Sequence, residues 1–398
     1  MHEIDAALAL CSERVGALAP VAQSLESALG RVLAEPASSV LDLPPFAQSG
    51  LDGYAVRAAD TEAAPSSLAL AGEVPAGAVA TERLPANGAV RVFTGAMVPP
   101  GADAVVAQER VRAEPGRIHL AAPVAAGDGL RNRGEELAAG AIVCPPGQRL
   151  HAARLAALAA AGVERVMVRP APRVAVLVTG DEVQPGAGET APGRIRDANG
   201  PLLRGWLSER GYPVEIHHVA DRLEAVRAHL EQALAEADVV VTTGGVSVGD
   251  YDLVMQAAAD QGVETVFWRV RQKPGKPLYL GLAPNGVPLL GLPGNPAAVL
   301  AGASVFLRRL LDLREGLAVP GPELLGGVAA HPVRRDGVRD GWLRARREAA
   351  EGTVRLHVLD RQASHMLSNL GEADALVRVP AGETPLPAGA TVQWLPLD

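Results

Sequence analysis

The chain has 398 residues, of which 48% are hydrophobic and 21% charged, and its formal net charge is −8. That length exceeds one ordinary core and suits two to four domains, while the composition excludes a disordered chain. An excess of 45 acidic over 37 basic residues excludes a general nucleic-acid binder, which needs a basic face.

Residues 1–19 carry Glu3, Asp5, Glu13 and Arg14, which fits neither a signal nor a transit peptide, so the expected location is cytoplasmic. No charge-free apolar run of about 18 residues occurs, and no membrane association is expected. Cys11 and Cys144, far apart, cannot form a disulfide framework or a structural zinc site. Two amphipathic stretches, 4–15 and 21–33, open the chain. From residue 41 to about 131, short apolar runs alternate with Gly/Pro turns, the texture of a small β-rich module. An alanine-rich helix is expected over 151–161, stopped by Gly162.

Between 173 and 313 the pattern changes. Residues 174–179 read as a continuous apolar strand, 201–210 as a helix closed by Gly211, and 214–219 as a strand. Asp221 is placed to cap a helix whose apolar positions Leu223, Val226, Leu230 and Leu234 recur at helical spacing. Residues 239–243 form another buried strand. This alternation predicts a doubly wound, mostly parallel α/β sheet. After residue 320 the chain is again Gly/Pro-punctuated and strand-like, a second small β module, so the class is α/β plus β.

Ligands of open α/β sheets bind at the carboxyl ends of the strands. Four polar segments end strands here: Thr179-Gly180-Asp181-Glu182, Thr242-Thr243-Gly244-Gly245-Val246-Ser247, the loop after Val270, and Leu292-Pro293-Gly294-Asn295-Pro296. Asn295 is a favoured N-cap and Pro296 suits a first helical turn. Such a helix either aims free N–H groups above the sheet or is an ordinary capped helix. Gly244-Gly245 either lets backbone approach a ligand or makes a tight turn.

The third segment, Arg271-Gln272-Lys273-Pro274-Gly275-Lys276-Pro277, holds the chain's only lysines. Either this is coincidence on a solvated loop, or the loop uses ammonium point charges that arginine's planar fork does not imitate. Taken together, the segments suit a phosphate-bearing ligand. The same region carries Asp181, Glu182, Asp197, Asp221, Asp250 and Asp252. Carboxylates beside a phosphate indicate Mg²⁺; the alternative for each acid is a helix cap or a solvated loop position. His217 and His218 fall on opposite faces of a strand and make a poor metal pair.

These motifs, with Leu51-Asp52-Gly53-Tyr54-Ala55, Thr94-Gly95-Ala96 and Arg133-Gly134-Glu135-Glu136, resemble the molybdopterin molybdenumtransferase family, the bacterial MoeA proteins and the E domain of gephyrin. The resemblance runs over nearly the whole chain. It implies a homodimer of elongated, four-part subunits. The four parts are a linker (21–40 and 132–170), a β-rich domain (41–131), a molybdopterin-binding-like α/β domain (171–316) on which an N-terminal helix (1–20) packs, and a C-terminal β domain (317–398).

It also implies a reaction in which adenylated molybdopterin and molybdate give molybdenum cofactor and AMP, with Mg²⁺, for which Glu182 and Asp250 or Asp252 are the expected ligands. The molybdopterin adenylyltransferase and apo-molybdoenzymes or their chaperones would be partners. Position by position, Asp52, Thr94, Glu182, Asp221, Asp252, Lys273 and Lys276 match catalytic positions of the cleft. Gly244, Gly245, Ser247, Pro293, Gly294, Asn295, Arg269 and Ser364 match binding positions. In the family the cleft joins the sheet domain of one subunit to the first β module of the other. Gln48 and Leu51 replace the usual Asn and Met, Glu136 replaces an Asp, and Arg269 stands where some members have Lys. Two other readings are an adenylyltransferase, whose glycine loop continues differently, and a non-catalytic scaffold.

Overall fold

Uninterrupted runs of Val, Leu and Thr suit strands buried on both faces. The computed structural model, which describes residues 1–245, 253–350 and 352–397, places them at the centre of a six-stranded sheet. The strand order is Val214–Val219, Val174–Thr179, Val239–Thr243, Pro288–Leu292, Tyr279–Leu282 and Glu264–Trp268. The first four strands are parallel, with Val176 between Ile216 and Val241, and Val241 beside Leu290. The last two are antiparallel.

Helices cover both faces. In chain order the helices are α1 (Ile4–Arg14), α2 (Ala152–Ala160), α3 (Asn199–Ser208), α4 (Leu223–Glu236), α5 (Leu253–Asp260), α6 (Pro296–Gly302) and α7 (Arg308–Arg314). Of these, α2 packs in a separate core with Leu33, Cys144 and Val168, and the others flank this sheet. From α1, α3, α6 and α7, the side chains of Ile4, Leu203, Val299 and Leu310 share a core with Val176 and Val241. From α4 and α5, Val226, Leu230, Val254 and Ala257 share a second core with Leu177 and Val240. Because successive strand residues face opposite ways, this split is what a doubly wound sheet requires. No described helix is long and apolar enough to cross a membrane.

The second amphipathic stretch is not one element. Val21–Ser24 is a strand, Leu25–Ala28 a 3-10 turn and Val32–Leu33 another strand. Both strands pair with Arg165–Arg169, so contacts from far along the chain, rather than local period, decide this segment. The alanine-rich helix is α2, and Gly162 follows it at φ +76°.

A second six-stranded sheet spans Gly53–Val56 to Arg117–Leu120. A third lies toward the C-terminus and closes on itself, because Asp340–Ala350 pairs with both Thr353–Val358 and Ala375–Val379. Its outermost member is Gln272–Lys273, aligned parallel with Gln272 opposite Asp340 and Lys273 opposite Gly341. The two-lysine loop leaves the central sheet but is hydrogen-bonded into this C-terminal barrel.

Candidate active site

A cavity of about 840 Å³ opens at the carboxyl ends of the parallel strands. Three strand ends are tied there: the Thr179 hydroxyl donates to Thr243 O at 3.1 Å, and Gly244 N–H donates to Leu292 O at 2.9 Å. Gly244 has φ +91°, and a Cβ on it would lie 2.7 Å from Thr179 Oγ1. Gly245 has φ +65°, and its Cβ would lie 2.7 Å from Val254 Cγ2. The turn itself therefore requires both glycines, and both also line the cavity.

The cavity collects Glu182, Asp221, Gly244, Gly245, Pro293, Gly294 and Asn295 from the expected residues. Asp221 does not cap α4, which begins with Arg222 in the cap position. Instead Asp181 and Asp221 each accept the other's backbone N–H at 3.2 Å, clamping two strand ends together. Asn295 precedes α6, but its side chain does not cap the helix either. Its Nδ2 donates to Ser364 Oγ at 3.2 Å, bringing a loop of the barrel over the sheet.

The remaining expected residues lie elsewhere. Arg269 stacks its guanidinium 3.9 Å over the Trp268 ring and lines no part of the cavity. Pro277 reaches the cavity, but Lys273 lines a second space of about 660 Å³ in the barrel. Lys276 is exposed and makes no ion pair among the described residues. Asp52 and Thr94 pair on the first β module, where Asp52 Oδ1 accepts the Thr94 N–H and O–H, each at 2.8 Å. Donation by the Thr94 amide, then by its hydroxyl, holds the Asp52 carboxyl below the usual carboxylate range. Neither residue lines the cavity of its own chain. Ser247, Asp250 and Asp252 fall outside the described residues.

Several lining residues were not assigned to the site from sequence, although Asp197 was counted among the carboxylates of this region. Asn199 donates from Nδ2 to Gly294 O at 2.8 Å, while its buried Oδ1 has no partner among the described residues. Asp197 accepts Gly200 N–H at 2.9 Å and faces His218 Nε2 at 2.8 Å. His365 and Leu367 enter from the barrel loop. The Asp197-x-Asn199 spacing at a helix start was a usable signal; nothing local marks His365. On the first β module, Arg91 lies over Tyr54 and Phe93, 4.9 and 5.3 Å from their ring centres, and its charge also lowers the Asp52 carboxyl.

No three His, Cys, Asp or Glu side chains among the described residues group to hold a metal ion. Glu182 and Asp221 nevertheless line one cavity, and Mg²⁺ needs only one or two carboxylates plus water and phosphate oxygens. Their oxygen-donor chemistry fits that ion.

A cavity of mixed polar and apolar lining on the crown of a doubly wound sheet, reached by a loop of the C-terminal barrel, defines a ligand-handling α/β protein. Three family descriptions match the chain: "MoeA N-terminal region (domain I and II)" over residues 2–162, "Probable molybdopterin binding domain" over 175–312, and "MoeA C-terminal region (domain IV)" over 327–397. A molybdopterin molybdenumtransferase of Nostoc sp. is 36% identical, the match covering 94% of this chain and 88% of that one. Molybdopterin molybdenumtransferase 2 of Mycobacterium tuberculosis is 32% identical over 99% of each. The crystal structure of a molybdopterin biosynthesis MoeA protein from Pyrococcus horikoshii superposes with TM-score 0.83 at 30% identity, covering 100% of this chain and 99% of that one. The chain belongs to the molybdopterin molybdenumtransferase family, and it is a transferase.

Proposed function

We propose that this transferase acts in molybdenum cofactor biosynthesis, inserting molybdenum into adenylated molybdopterin from molybdate and releasing AMP. The observation that carries the reading is the crown cavity, where Glu182, Asp221 and the unpartnered Asn199 Oδ1 meet a glycine turn. Backbone at Gly244 and Gly245 allows close approach of a phosphate-bearing ligand. Asn199 Oδ1 accepts an N–H of the pterin. His365 and Leu367 shield the ligand from water. Lys273 and Lys276 offset the charge of the molybdate dianion and the phosphates.

Mg²⁺, held by Glu182 and Asp221 with Asp250 or Asp252, would polarise the phosphoryl oxygen. Water hydrolyses the phosphoanhydride P–O bond to give AMP and molybdopterin phosphate. A molybdate oxygen, where it is the nucleophile, adds to the molybdopterin phosphorus with AMP as the leaving group, and water then cleaves the phosphate–molybdate bond. The dithiol takes the metal as its two sulfurs replace one oxo group of molybdate, which leaves with their two protons as water. Asp52 and Thr94 belong to the same site in this reading, supplied by the first β module of a second copy in a homodimer. The adenylyltransferase before it and apo-molybdoenzymes or their chaperones after it are the proposed cytoplasmic partners.

The test supplies adenylated molybdopterin, Mg²⁺ and molybdate, and measures AMP and reconstitution of an apo-molybdoenzyme. Molybdate-dependent release of AMP is expected, strongly reduced in Lys273→Ala. Release that ignores molybdate would indicate a bare hydrolase, and ATP consumption with free molybdopterin an adenylyltransferase. Full AMP release by Lys273→Ala would remove the lysine loop from the mechanism.

A further inference from the structure

Lys273 is held by an acid from the barrel. Asp336 Oδ2 lies 3.3 Å from Lys273 Nζ and 3.0 Å from the Arg339 guanidinium. Its Oδ1 accepts the backbone N–H groups of Val338 at 3.1 Å and Arg339 at 3.0 Å. The Arg339 guanidinium foremost holds the carboxyl well below the usual range, so the group is a fixed negative charge.

The two partners depend on each other unequally. Without Lys273, Asp336 keeps Arg339 and two amides. Without Asp336, Lys273 has no other ion pair among the described residues. The backbone of Lys273 is pinned opposite Gly341, so only its flexible four-carbon stem, 53% exposed, is free to move.

We propose that Asp336 is an internal counter-ion which an incoming oxyanion displaces from Lys273, so that Asp336 sets the affinity of the site for molybdate. The inference rests on reading the two-lysine loop as the oxyanion's site. A dianion approaching Lys273 meets both competition and repulsion from the carboxylate. Once Lys273 leaves, Asp336 stays satisfied by its remaining donors, so the exchange leaves no buried charge unpaired. An exposed ion pair is weak, which keeps the competition modest.

Sodium molybdate is titrated calorimetrically into the full-length protein, its Asp336→Asn and Lys273→Met variants, and the double variant. Asp336→Asn is expected to bind about three- to five-fold more tightly, with the gain shrinking at high salt. Lys273→Met binds more weakly, and in that background the Asp336→Asn gain is mostly lost. Asp336→Ser serves as a second variant, since a hydroxyl also accepts the turn amides, and melting curves verify folding. If Lys273→Met weakens binding while both Asp336 variants bind unchanged or more loosely, the counter-ion role is overturned and the lysine reading stands. An equal gain with and without Lys273 would show a diffuse field and also overturn displacement. Molybdate binding indifferent to Lys273→Met would overturn the lysine reading and the role of Asp336 together.

Discussion

Asn295, at the start of α6, donates from Nδ2 to Ser364 Oγ at 3.2 Å, joining residues 69 positions apart. The bond ties the crown of the central sheet to the barrel loop that carries His365 and Leu367 to the cavity. Asn295→Ala or Ser364→Ala is expected to lower kcat/KM by about 10- to 100-fold through misplacement. The melting temperature should change little, because a single exposed bond contributes only about 1 kcal/mol. The double variant should be no worse than the worse single one. Additive losses in AMP release would show that the two side chains act separately.

Gly244 combines φ +91° with a 2.7 Å approach of any Cβ to Thr179 Oγ1. Gly244→Ala should therefore cost about 1–3 kcal/mol, read as a lowered denaturation midpoint. Gly286, at φ +80° with open space around it, is the control. Its alanine variant carries the backbone strain without the clash, so an equal cost at both positions would contradict the packing argument.

Arg149, which bridges to Val32, reaches the buried Glu315 at the end of α7, with Nη2 2.6 Å from Oε2, and Tyr212 donates its hydroxyl to the same oxygen at 2.8 Å. Burial pushes the Tyr212 hydroxyl well above its ordinary range, and the adjoining Glu315 charge reinforces this, so it remains a donor. Glu315→Gln should cost about 2 kcal/mol, less than a wholly buried pair, because Arg149 is one-third exposed and keeps Asp312 at 3.3 Å. Tyr212→Phe should cost about 1 kcal/mol. Thermal melts measure both, and a Glu315→Gln protein as stable as the wild type would contradict the assigned role.

The Asp52 carboxyl is held below its ordinary range by the Thr94 donors. A depressed carboxyl contributes stability above its unfolded value, about pH 4, and loses that contribution as pH falls through the folded value. Wild type and Asp52→Asn should therefore differ in melting temperature at neutral pH and converge in acid. A difference that persists or widens in acid would contradict this. Because Thr94 donates through both N–H and O–H, Thr94→Val should remove only part of the neutral-pH difference.

The central strands were legible to the residue at Val174–Thr179, Val214–Val219 and Val239–Thr243. Val174–Thr179 and Val239–Thr243 are buried along their whole length and show as uninterrupted apolar runs that need no partner to be recognised, whereas Val214–Val219 is an edge strand marked by its β-branched ends and the helix that follows. Residues 21–33 were not legible as two strands, because Arg165–Arg169, which pairs with both, lies far along the chain. Asp221 had the composition of a cap, but its reciprocal clamp with Asp181 depends on where another strand ends. Among the site residues, the glycine turn and Asn295 could be found from motifs. Asn199 was marked only by its spacing from Asp197 at a helix start, and His365 and Leu367 could not be assigned, since only the packed cavity distinguishes a lining side chain from a solvated one.

By itself, the amino-acid order determined the α/β core, the flanking β modules and the family, since hydrophobic runs, glycine turns and motif spacing are local properties of the chain. Only the folded molecule decided that Lys273 is a strand residue of the barrel opposite Gly341, with Asp336 at its ammonium group. It likewise decided that Ser364 reaches Asn295 over the crown of the sheet. These are pairings between segments brought together by the closure of distant sheets, and local spacing in the chain carries no record of them.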